Sequence, residues 1–247
     1  MHWIHITDEL GIIASVFFTY LMTFMMAGYL TFLVPALFGA QLILTIVLTK
    51  GEICPGQRGR IHKMLPVLLV GWLVAAIAQP LAVLPLLALA FFTMKVKTGK
   101  TRDAGPIKVL YGSDVLAFVC WLVLLPTLNM PEIAISLVAI ALYGSALAHA
   151  LLTFARTRLQ AFHRILPFVG FISAILTILF MIWQIMTLGQ VKSSHHMVEI
   201  ITALALMVIG LVIWAGHILL NKKANNWQLA TALVVLVFSA GLQLVLF

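Results

Sequence analysis

Charge is what this sequence has least of. Of 247 residues only 9% are Asp, Glu, Lys or Arg, and just seven are acidic, where an ordinary soluble domain carries about a quarter of its residues charged. So thin a supply of carboxylates leaves no pair spaced like a general acid and base, and an enzyme is the least favoured class. Cysteine is equally scarce. Cys54 and Cys120 form neither a CxxC pair nor a disulfide frame, so both are expected as reduced thiols. No phosphate-binding loop, zinc-protease motif or nucleophile elbow is present. No polar stretch is long enough to bind nucleotide, which argues against a self-contained primary pump. Met1 to Glu9 holds no Lys or Arg ahead of its apolar run and no small-residue cleavage site, so the first helix is expected to stay in the membrane.

Apolar residues make up 63% of the chain. Crossing a hydrocarbon core of about 30 Å takes about 20 mainly apolar residues as a helix, and the sequence offers many such runs. It is an all-α polytopic membrane protein, one integral membrane domain over 1–247. Nine transmembrane helices are expected. Two lie within 10–49, divided near Met26 to Tyr29, and the others cover 61–78, 81–97, 109–128, 132–154, 164–187, 197–220 and 227–246. Eight is the alternative, if 10–49 is one crossing and an interfacial piece. The 61–78 and 81–97 arms are short for full crossings, which suits tilted or partly re-entrant helices.

The net charge of +8 sits in four short segments, 50–63, 95–108, 156–164 and 222–223, leaving only Lys192 elsewhere. Alternation of basic loops with apolar pairs is the positive-inside pattern. It places the chain in a bacterial inner membrane, N-terminus cytoplasmic and C-terminus outside. The partners it implies are anionic lipids and a small molecule or ion, with no nucleic acid. Nothing in the sequence sets the oligomeric state.

A pentad recurs. His62-Lys63-Met64-Leu65-Pro66 returns as His163-Arg164-Ile165-Leu166-Pro167, and Phe38-Gly39 returns as Tyr143-Gly144. The same order at nearly the same spacing implies a parallel repeat of four plus four helices. Repeat 1 covers about 8–98, repeat 2 about 109–220, and the helix at 227–246 is left over. Beside basic residues and a proline near a helix start, His62 and His163 read as parts of a helix-start device and not as ligands.

Ionisable groups inside apolar runs are costly and mark function first. Asp114 lies five residues into its helix, and His149 lies a similar depth from the end of the next one. An Asp–His pair there suits a proton or cation site, with Ser113 and Ser145 beside it and His217 in the same layer. His149 and His217 together suit two axial haem ligands, although no haem-binding pattern accompanies them. At the other face His195, His196 and Glu199 form a weak metal-ligand set, approachable by Glu132. Neither haem nor a transition metal is the favoured cofactor. Gln41, Gln184, Gln228 and Gln243 lie within apolar runs and suit interhelical hydrogen bonds.

These residues rank three readings. The first is a small-solute or ion permease, proton-coupled through Asp114 and His149, with its path between the repeat halves. The second is a haem- or metal-binding redox protein. The third is a non-catalytic assembly subunit.

Overall fold

The computed structural model describes residues 29–99, 103–157, 159–189 and 195–246. In chain order its helices are α1 (Tyr29–Lys50), α2 (Pro55–His62), α3 (Leu65–Ala78), α4 (Val83–Lys95), α5 (Ile107–Leu122), α6 (Met130–Phe154), α7 (Gln160–Leu188), α8 (Met197–Leu219) and α9 (Asn226–Gln243). Among the described residues seven helical spans are long and apolar enough to cross a membrane, with α2 and α3 joined as Pro55–Ala78; the helix at Pro80–Lys95 is shorter. The helix expected before residue 27 lies outside the described residues.

Polarity is inverted relative to a water-soluble protein. Ile77, Met186 and Phe238 point outward, while Gln41, Ser113, His149, Gln184 and Gln243 are fully covered. Without water in the hydrocarbon, a polar side chain gains most by turning inward to a partner. α1 and α6 form the centre, with 72% and 78% of their apolar windows enclosed against 28–39% for the other five spans.

The central pair meets through two glycines. A Cβ on Gly144 would lie 2.7 Å from the Gly39 Cα, and one on Gly39 would collide with the Ile140 carbonyl. Two turns earlier Ser136 Oγ donates to the Thr31 carbonyl at 3.5 Å. Thr31 therefore faces Ser136 where Gly39 faces Gly144, so α1 and α6 run parallel. Their C-terminal ends, and with them the described parts of the four basic segments, come to one end of the molecule. α3, α4 and α5 pack on one flank. On the other, α7 packs on α6, and α9 packs on both α8 and α6.

Local signals account for most helix limits. Asn129 caps α6 in a reciprocal capping box with Glu132, and Pro131 occupies the first turn where its missing N–H costs nothing. Gln79 and Pro80 end α3 and start a 3-10 turn into α4.

The two pentads differ in backbone. The first spans a break, α2 closing at His62 and α3 opening at Leu65, with Pro66 in its first turn. The second lies within continuous α7, which starts at Gln160 instead of 164 and leaves Pro167 inside the helix. The expected helix-start role for the second copy is thereby corrected.

Candidate functional site

The proline inside α7 begins the site. Pro167 has no N–H, so the carbonyl four residues earlier, that of His163, loses its helical partner. His217 Nε2 on α8 faces that carbonyl at 3.3 Å. The His217 Nδ1 faces the Trp214 carbonyl of its own helix at 2.8 Å. Carbonyl oxygens only accept, so a neutral His217 can bond one of them, and only the doubly protonated ring can bond both.

His149 on α6 stands at the centre of this layer, fully enclosed. Trp214 Nε1 donates to its Nδ1 at 2.8 Å, and its Nε2 lies 2.8 Å from His163 Nδ1. An indole N–H can only donate, which fixes the direction of the chain for neutral rings. His149 then carries its proton on Nε2 and donates to His163. His163 carries its own on Nε2, facing the Thr157 carbonyl at 3.4 Å. The result is a one-way hydrogen-bond chain from α8 through α6 and α7 to the α6–α7 turn. Gly170 makes room for it, since any Cβ there would run into the Trp214 ring.

A cavity of about 1330 Å³ reaches this layer from the basic end and is lined by His163, His217, Arg156, Arg164, Lys222 and Lys223 among others, with no carboxylate among the described lining residues. Two helix ends frame it. α6 ends with Thr157 N donating to the Leu152 carbonyl at 3.1 Å and Arg156 N to that of Thr153 at 2.8 Å. α8 ends in the same way, with Lys222 N to His217 at 2.8 Å and Asn221 N to Ile218 at 3.1 Å. Both are Schellman motifs, whose penultimate residue is left-handed and most often glycine. Here the residues are Arg156 (φ 50°) and Asn221 (φ 52°), the only non-glycine residues with positive φ among those described.

Asp114 stands apart from this layer. Its Oδ1 accepts from Gln41 Nε2 at 2.9 Å, the same nitrogen lies 2.9 Å from Ser113 Oγ, and Trp72 Nε1 donates to Gln41 Oε1 at 2.8 Å. Asp114 Oδ2 and Thr45 Oγ1 are both buried and have no hydrogen-bond partner in good geometry among the described residues, although the Thr45 hydroxyl lies toward the Asp114 carboxyl. No hydrogen bond or ion pair joins Asp114 to His149. α1 separates them, turning Gln41 to α5 and Gly39 to α6. Among the described residues Ser145 bonds only its own helix, at the Leu142 carbonyl. The cluster thus ties α1, α3 and α5 together. In unfolding experiments Asp114→Asn should melt at or above the wild-type temperature, because a buried carboxyl without a counter-ion is replaced by an amide that keeps the Gln41 bond. Asp114→Ala leaves Gln41 Nε2 with only one of its two acceptors, Ser113 Oγ, and should cost about 1–3 kcal/mol.

The other sequence candidates resolve differently. His196 Nδ1 lies 4.0 Å from Glu199 Oε1, and the His195 and His196 rings are 6.4 Å apart. Glu132 is elsewhere, accepting from the Asn129 N–H at 2.8 Å and from Gln184 Nε2 at 2.9 Å. Among the described residues no group of three His, Cys, Asp or Glu side chains is arranged to hold a metal ion. His149 and His217 have ring centroids 5.4 Å apart in direct edge contact, and both His149 nitrogens are engaged, so this pair does not fit across a haem. His62 packs edge-on against Phe92, unlike His163. Cys54 and Cys120 are free thiols, with Cys120 bonded to Gln79.

His163, Trp214 and Pro167 are the members of the layer that sequence reasoning left out. The signal was present for His163: a helix starting four residues earlier puts it level with His149.

No solved structure matches this chain. A protein of Haemophilus influenzae, described only as uncharacterized, is 29% identical over 214 residues, which covers 81% of this chain and 79% of the relative. A family model described as an integral membrane domain matches residues 10–246. With nearly the whole sequence matched and its polarity turned inside out, the chain belongs to this family of integral membrane domains.

Proposed function

We propose that this protein is a proton-coupled permease for a small solute or ion, with its path inside α6–α9 and not between the halves. The carrying observation is the basic vestibule, which runs from one end of the molecule to the imidazole layer of His163 and His217. The α1–α6 contact is closed by the backbones of Gly39 and Gly144, which argues against a path along it. By the positive-inside rule the vestibule opens to the cytoplasm of a cell with this protein in its inner membrane.

The contacts also favour shifting the repeat by one helix. α1, α2–α3, α4 and α5 form one unit and α6 to α9 the other, with the equivalent glycines touching where an axis along the membrane normal would pass. α9 then matches α5 and is no longer a surplus helix.

Protonation supplies the coupling. A second proton on His217 lets it bond the His163 carbonyl as well as its own helix, drawing α8 to α7 across the vestibule floor. His217 meets the His149 ring from α6 and the His163 carbonyl from α7, and the charged side chains lining the same cavity are Arg164 from α7, Arg156 from the α6 end, and Lys222 and Lys223 from the α8–α9 turn. These side chains are all cations or imidazoles, so an entering anion and the proton favour each other's binding.

Proteoliposomes carrying a pH-sensitive dye test this reading. Wild-type protein should move protons inward only with a permeant solute present. His217→Gln, which cannot carry a second proton, should slow that coupled flux about tenfold or more, the equivalent of one charge-assisted hydrogen bond to the His163 carbonyl, while Asp114→Asn leaves it within about twofold. Undiminished coupled flux in His217→Gln would remove the imidazole layer from the mechanism.

A further inference from the structure

We infer that the vestibule takes a phosphate group carried on an apolar tail. This rests on the vestibule being the solute site proposed above, but not on the direction or coupling of transport. Arg156, Arg164, Lys222 and Lys223 line one cavity that has no carboxylate among its described lining residues. A phosphate monoester carries about −1.5 to −2 charges near neutral pH, and arginine pairs with it in a two-pronged geometry that lysine supplements as a point charge. A singly charged carboxylate would leave most of this positive charge unanswered.

The apolar half comes from the same lining. Phe168 and Phe171 of α7 border the cavity and are 64% and 56% exposed, so one wall opens sideways toward the hydrocarbon. A tail lying on those rings would leave its phosphate at the basic mouth. A free inorganic anion uses only the mouth and gains nothing from the rings.

Backbone conformation gives an independent sign. Arg156 stands with φ 50° at the helix-end position where glycine fits without strain. A charged side chain on strained backbone at a cavity rim is a common mark of a binding site. Asn221 takes the matching position at the end of α8, where asparagine tolerates the left-handed region.

The test uses the purified full-length chain in neutral detergent, with binding followed by native mass spectrometry. Dodecyl phosphate should bind at least tenfold more tightly than inorganic phosphate or uncharged dodecanol. A short-chain phosphatidic acid that displaces it assigns the ligand to lipid headgroups, and one that fails to do so assigns it to a soluble phosphomonoester. Arg156→Gly should melt at or above the wild-type temperature yet lose at least tenfold in dodecyl phosphate affinity. The exposed-turn pair Lys222→Gln with Lys223→Gln should lose affinity similarly without a change in melting. Equal binding of inorganic phosphate overturns the tail, equal binding of dodecanol overturns the phosphate, and unchanged affinity in both variants overturns the site. Dodecyl phosphate bound with no coupled flux of any solute leaves this inference standing and defeats the permease. Coupled flux of a phosphate-free solute without dodecyl phosphate binding does the reverse.

Discussion

Gly144→Leu is expected to leave almost no folded protein after detergent extraction. Overfilling a core usually costs about 1–3 kcal/mol because neighbouring side chains give way. Here the neighbour is backbone: even a methyl group at residue 144 meets the Gly39 Cα at 2.7 Å and the Ala40 nitrogen at 3.0 Å. A leucine can be admitted only by driving α1 and α6 apart. That motion pulls apart the Ser136 bond to the Thr31 carbonyl and the Phe32–Tyr143 ring contact, both of which span the same two helices. The expected loss exceeds about 4 kcal/mol, a large share of the 5–15 kcal/mol that holds a typical domain together. Gly112 on α5 supplies the control. No described residue lies within 4 Å of a Cβ there, so Gly112→Ala should be neutral or stabilise by up to about 1 kcal/mol through helix propensity. Size-exclusion profiles and melting temperatures check both. A Gly144→Leu protein that elutes and melts like wild type would refute the glycine crossing.

His149→Leu is expected to be the next most damaging change. It strands the Trp214 N–H and the His163 Nδ1 at once, and a buried polar group left without its partner costs about 1–3 kcal/mol. Trp214→Phe strands only His149 Nδ1 and adds a small void. The double variant removes both ends of the 2.8 Å bond, so its loss should fall short of the summed single losses by about 1 kcal/mol, within the range for interhelical hydrogen bonds in membranes. Denaturant titrations of the four proteins in one detergent measure this coupling. Strict additivity would mean that Trp214 and His149 do not meet.

How much the sequence disclosed depended on the range of the interaction involved. The Asn129–Glu132 boundary was legible because a capping box is completed within four residues. The Gln79–Pro80 hinge was legible because a proline removes a helical hydrogen bond and so commonly marks a helix limit. Pro167 misled for the same local reason. It looked like a first-turn proline, but α7 extends back to Gln160, and the carbonyl it frees belongs to His163. The paired glycines at 39 and 144 were visible as equivalents; that they touch was not.

The sequence by itself determined that this chain lives in a membrane, where most of its spans begin and end, and which segments carry the positive charge. Hydropathy and charge act on each segment against solvent or lipid, so they need no knowledge of the neighbours. Which buried polar groups meet was decided only by the tertiary structure. Asp114 and His149 stand at similar depths in sequence, yet depth says nothing about helix rotation. With α1 set between α5 and α6, Asp114 turns to Gln41, while His149 turns to His163, Trp214 and His217. A polar side chain enclosed in a membrane protein bonds whatever lies within about 3 Å, and that neighbour is set by how whole helices pack.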